Sequence, residues 1–93
     1  MPKTNGIYTC EKASRYLQQL CKHWSHKHTV TFDKTDGHIN FGEVECQLWA
    51  TEDHLKLEMT SENADVLEHF KEVLDSHLER FAFREGGQIN WQN

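Results

Sequence analysis

The stretch TVTFDKTDGHINFGEVECQLWATEDHLKLEMT, residues 29–60, alternates apolar and polar side chains through most of its length. Val30 and Phe32 take one phase, and Ile39 and Phe41 repeat it after KTDG, residues 34–37. Beyond Gly42 the apolar phase moves to Val44, Cys46, Leu48 and Ala50, and Leu55, Leu57 and Met59 follow after TEDH, residues 51–54. A period of two marks strands with one face buried and the other wet. The Asp-Gly pair in KTDG is a hairpin signal. A phase change at a glycine predicts a bulge or bend within a strand. The middle of the chain therefore reads as an antiparallel meander that needs cover on one face only.

Both flanks supply that cover. Ala13, Tyr16, Leu17, Leu20, Cys21 and Trp24 fall at i, i+3, i+4, i+7, i+8 and i+11, one apolar stripe at the helical period. Arg15, Gln18, Gln19, Lys22 and His26 take the opposite side. On the other flank Val66, Leu67, Phe70, Val73, Leu74, Leu78 and Phe81 make a second stripe, with Ser61 or Asn63 as its cap. GIYTC, residues 6–10, reads as a first strand, and QINW, residues 88–91, as a last strand after the Gly86-Gly87 break. The expected order is β-α-β-β-β-α-β. The expected fold is α+β, a two-layer sandwich of a mainly antiparallel sheet with two helices packed on one face, as a single domain over residues 1–93.

Charge is unevenly placed. From Lys12 to Phe32 there is no acid, while Lys12, Arg15, Lys22 and Lys27 give +4. From Glu43 to Glu79 eleven acids face two lysines, a balance of −9 within a chain of net −5. A basic helix on an acidic body disfavours a nucleic-acid partner, because the body repels phosphate. No segment has the length of a membrane span, and the N-terminus lacks the apolar run of a signal peptide, so neither a membrane partner nor export is expected and the expected location is cytoplasmic. Cys10, Cys21 and Cys46 are an odd number with no CxxC pair, which points to free thiols.

CKHWSHKH, residues 21–28, concentrates the chemistry-bearing residues. His23 and His26 are three apart on the first helix and can share one side of it, which makes them candidate ligands for part of a divalent-metal site. Cys21 belongs to the apolar stripe and points inward. His77 falls within the second apolar stripe, where every other position is aliphatic or aromatic. A buried imidazole needs partners for its ring nitrogens: a backbone carbonyl, a hydroxyl such as Tyr16, or another side chain. Arg80 lies at the edge of the same stripe and Arg84 just beyond it. A guanidinium there forks onto a carboxylate, from an internal acid or from a ligand. Motifs of serine hydrolases, phosphate-binding loops and HExxH metalloproteases are absent, and the inward thiols Cys21 and Cys46 suit catalysis with His77 poorly. An enzyme is disfavoured.

ASRYLQQLCKHWSHK, residues 13–27, and HLERFAFRE, residues 77–85, resemble the signatures of a small bacterial family of unknown function. The first signature is matched at Ala13, Ser14, Arg15, Tyr16, Leu17, Leu20, Cys21, Lys22, His23, His26 and Lys27. The second is matched at His77, Leu78, Glu79, Arg80, Phe81, Phe83, Arg84 and Glu85. The resemblance implies a siderophore or iron-uptake context and transfers no catalytic residue.

The expected function is that of a small binding or accessory protein for an anionic ligand, held by Arg15, Lys22, His23, His77, Arg80 and Arg84 where the two helices meet. The resemblance makes an iron chelate one such ligand, with no cofactor specified. Two alternatives stand beside it. One is a histidine-based metal binder using His23 and His26, with His77 as a candidate third ligand. The other is a protein-interaction module or homodimer joined through the open sheet face near Trp49.

Overall fold

A computed structural model describes residues 2–82 and 85–92. The chain runs β1 (Lys3–Thr9), α1 (Ala13–Trp24), β2 (Thr29–Phe32), β3 (Asp36–Asn40), β4 (Glu45–Ala50), β5 (His54–Thr60), α2 (Ala64–Phe81) and β6 (Asn90–Trp91). The strands form one six-stranded sheet in the order β2-β3-β4-β5-β1-β6, antiparallel throughout. The α+β class stands, with one strand more than the sequence predicts.

The extra strand comes from Gly42. In place of a bulge within one strand, the chain reverses there: Asn40 pairs with Glu45, Phe41 N–H donates to Val44 O at 2.9 Å, and Gly42 takes a φ of 93°. That left-handed conformation is open to glycine at little cost, so the phase change marks a hairpin. The Asp-Gly signal also plays a different part. The β2–β3 turn is closed one step earlier by Asp33 N–H to Asp36 O at 2.8 Å, leaving Lys34 and Thr35 at its tip and Gly37 inside β3. Gly37 is required for another reason: a Cβ there would stand 2.8 Å from Cys21 Sγ and 3.3 Å from Leu17 Cδ2. The missing side chain lets α1 lie close against β3.

One sheet face carries Tyr8, Ile39, Cys46, Leu48, Leu55, Leu57 and Met59, all buried. The whole α1 stripe, Ala13, Tyr16, Leu17, Leu20, Cys21 and Trp24, packs into the same core. Helix α2 is less deeply seated. Only Leu67, Leu74 and Leu78 are buried, while Val66, Phe70, Val73 and Phe81 are partly covered. Asn63 caps α2 by accepting the Asp65 N–H at 2.9 Å, whereas α1 starts without a side-chain cap. Along the helix junction the shallow seating of α2 leaves a seam of half-covered rings. Among the described residues no helix is long and apolar enough to cross a membrane.

Candidate functional site

The seam gathers His23 and Trp24 from the end of α1, His77 and Phe81 from α2, and Phe41 from the β3–β4 turn. Trp24 stands 4.6 Å from the His77 ring and 5.1 Å from Phe41, and Phe81 lies 5.9 Å from His23. His77 is half-buried and its partners are now explicit: its Nδ1 lies 2.7 Å from Val73 O, and its Nε2 lies 3.2 Å from His23 Nε2. Tyr16, the hydroxyl partner considered from sequence, is engaged elsewhere: it donates to Glu85, which also accepts the Glu11 N–H at 2.9 Å. Burial first and that carboxylate second push the Tyr16 hydroxyl up to about 12.

The hydrogen-bond roles follow from elementary chemistry. A carbonyl only accepts, so His77 Nδ1 carries a proton. In the neutral ring, His77 Nε2 is then an acceptor, and His23 Nε2–H donates to it, leaving His23 Nδ1 with the lone pair. One further proton adds at His23 Nδ1 without disturbing the contact. A second would set two N–H groups against each other. His23 is held below the usual histidine range, first by desolvation and then by electrostatic interaction with His77, Lys27, Arg80 and His26. Two of these neighbours, Lys27 and Arg80, are permanent cations, and the two imidazoles add positive charge only when protonated.

The sequence-predicted residues divide into two groups. His23, His77 and Arg80 come together at the seam, with His26 and Lys27 close enough to act on His23. Arg15 and Lys22 turn away and line a different concavity with Lys12 and Lys34. Arg84 lies outside the described residues. Arg80 is exposed, and no carboxylate among the described residues pairs with it, so the internal fork expected for it is not formed there. His23 has its ring contact across the helices with His77, not with its sequence neighbour His26. Lys27 was missed as a site residue, although its place one turn beyond His23 was a usable signal. Among the described residues no group of three or more His, Cys, Asp or Glu side chains is placed to hold a metal ion. Cys10, Cys21 and Cys46 are free and buried, and burial pushes the Cys10 and Cys21 thiols up to about 11 and the Cys46 thiol up as well. Such thiols are poor nucleophiles at neutral pH. Trp49 lies on the open sheet face, half-buried, with Lys56 Nζ 5.2 Å from its ring centroid.

Fold and seam together define a class: a six-stranded antiparallel sheet covered on one face by two helices, with an imidazole pair bridging them. The chain belongs to a family described as uncharacterized proteins conserved in bacteria (DUF2218), whose profile matches residues 6–92. It is similar to the protein in "NMR structure of PA4090 from Pseudomonas aeruginosa", with 38% sequence identity over 99% of this chain and 96% of that one, and a TM-score of 0.83. Nothing among curated proteins matches the chain.

Proposed function

We propose that the protein binds a small anionic ligand at the His23–His77 pair, with Arg80, Lys27 and His26 contributing charge, and that it takes up a proton as the ligand binds. The observation that carries this reading is the 3.2 Å contact between the two Nε2 atoms within cationic surroundings. Two further features support it. The rings of Trp24, Phe41 and Phe81 wall the seam with apolar surface, which strengthens any charge interaction beside them. Desolvation first and repulsion second disfavour the His23 cation, and a bound anion offsets both, so binding and protonation at Nδ1 favour each other. Carboxylate, phosphate and catecholate groups all suit this site. An iron chelate of the siderophore type, the class implied by the sequence resemblance, presents such groups and would make the protein an accessory of iron metabolism.

A metal-binding reading has one specific observation in its favour. Two imidazole nitrogens on a tetrahedral zinc, each at about 2.0–2.1 Å, lie about 3.3 Å apart, close to the spacing seen here. The cations Lys27 and Arg80 oppose it, because they repel a metal ion as they attract an anion. The two readings have opposite pH signs: an anion binds more tightly as His23 gains a proton, and a metal more tightly as the imidazoles lose theirs. NMR titration of the His23 and His77 ring protons from pH 8 to 5, with and without orthophosphate or citrate, reads both. The expected result is an upward move of the His23 midpoint, with about tenfold tighter binding for each pH unit that it moves, and loss of the effect in His23→Gln. Rings unmoved by either anion, with Zn²⁺ binding that strengthens as pH rises, would replace this reading with the metal one.

A further inference from the structure

Arg15 and Lys22 differ by seven residues, so they project within about 20° of each other on α1, while His23 lies about 100° further round. They therefore belong to a second concavity, of about 540 Å³, which they line together with Lys12, Ser14, Gln18, Gln19 and Lys34. Arg15 and Lys22 come from α1, and Lys12 stands at its N-cap. The fourth, Lys34, is carried in from the tip of the β2–β3 turn. No acid lines this concavity, and no carboxylate among the described residues pairs with any of the four. The nearest acids in sequence to Lys34 are tied up in the turn: Asp33 Oδ1 accepts from Thr35 N and Asp36 N, both at 2.8 Å, and Asp36 Oδ2 accepts from Thr35 Oγ1. Glu11 and Glu85 line an adjoining groove that shares Lys12 and Arg15 with this one, and Glu85 interacts with Lys12 there.

We propose that this concavity is a second binding site, independent of the imidazole seam, for the polyphosphate group of a small molecule. Four fixed cations around one hollow, none in a salt bridge among the described residues, match a multivalent anion; a monovalent anion would leave most of that charge unneutralised. The hollow has the volume of a small-molecule site. Its concave form and the −9 balance between Glu43 and Glu79 favour a compact ligand over a long duplex or an anionic bilayer, both of which meet repulsion from the acidic body. The side chains here are lysine and arginine, which stay charged through neutral pH, so this site lacks the proton uptake of the seam.

Calorimetric titration with sodium triphosphate at pH 8 and low salt tests the proposal on the full chain, with orthophosphate, ATP, a duplex oligonucleotide and phosphatidylserine vesicles as separate arms. Triphosphate is expected to bind at least tenfold more tightly than orthophosphate, with a loss of about tenfold or more for each cation removed in Arg15→Gln/Lys34→Gln and no change in His23→Gln. ATP binding comparable to triphosphate identifies a nucleotide as an acceptable carrier, and ATP binding far weaker identifies the free chain; both retain the site. Both replaced side chains are exposed, and Lys34→Gln alone, at the turn tip, repeats the test should the double variant fold poorly. Unchanged triphosphate affinity in Arg15→Gln/Lys34→Gln, loss of it in His23→Gln, or tighter binding to duplex or vesicle than to triphosphate at matched phosphate concentration overturns the proposal.

Discussion

The two cationic regions sit on the same helix and differ in almost every physical respect. The seam is built from titratable rings contributed by α1 and α2, walled by aromatic side chains, and its charge depends on pH. The concavity around Arg15 and Lys22 is built from fixed charges with long flexible stems, and its charge is constant. One helix thus carries two kinds of electrostatics about a quarter-turn apart. The contrast teaches that a run of basic residues is not one surface. Helical phase decides which neighbours each residue meets, and those neighbours decide whether it behaves as a permanent charge or as a switch.

The most drastic way to break the contrast is to move α1 itself. Gly37→Val places a side chain against Cys21 Sγ and Leu17, an overpacking that costs about 1–3 kcal/mol and disturbs both regions together. Urea denaturation reads the loss, and backbone chemical shifts read the displacement. A variant as stable as the wild type would show that the helix does not depend on that close approach. A more selective change is His77→Phe, which keeps a ring against Trp24 and Phe81 but removes the Nε2 acceptor. Orthophosphate affinity at pH 6 is expected to fall roughly three- to tenfold, as for one lost hydrogen bond, with triphosphate affinity at pH 8 unchanged. Equal losses in both assays would merge the two regions into one. The smallest effect concerns stability. His23 has a folded-state pKa below its unfolded value, so the unfolded chain takes up the proton first, and stability declines as pH falls through the ordinary histidine range near 6.5. The side chain is exposed, so solvent screening keeps the decline small. Denaturation curves at pH 7.5 and 5.5 should show a smaller pH difference in His23→Gln than in the wild type. Identical differences would assign the decline to other groups.

Much of the fold was legible because each element carries its own periodicity. The α1 stripe is buried at all six positions named from sequence, and Ile39, Cys46, Leu48, Leu55, Leu57 and Met59 are buried as their strand phases predicted, while at the sheet edge β2 leaves Val30 half-buried and Phe32 exposed. The errors arose where a glycine has two possible uses. Gly42 marks a hairpin where a bulge was expected, and Gly37 admits a helix where a turn position was expected. The site was legible only in part. That His77 needed a polar partner followed from its place in an apolar stripe. That one partner is His23, 54 residues away, depends on how two helices pack, which local spacing does not encode. Grouping Arg15 and Lys22 with His23 ignored a phase difference already present in the sequence. Lys34 was overlooked because it reaches the hollow from a turn whose tip lay one step earlier than the Asp-Gly pair suggested.

The place of β1 in the sheet has a consequence for how the molecule is made. It lies between β5 and β6, pairing Lys3 with Thr60 on one side and Gly6 with Trp91 on the other. Of the six strands of this sheet β1 leaves a ribosome first, so it must wait for partners that emerge much later, while the β2–β5 meander can close on itself in order. Loop-closure entropy then favours assembly of this sheet centre-first, with β1 and β6 joining last, side by side.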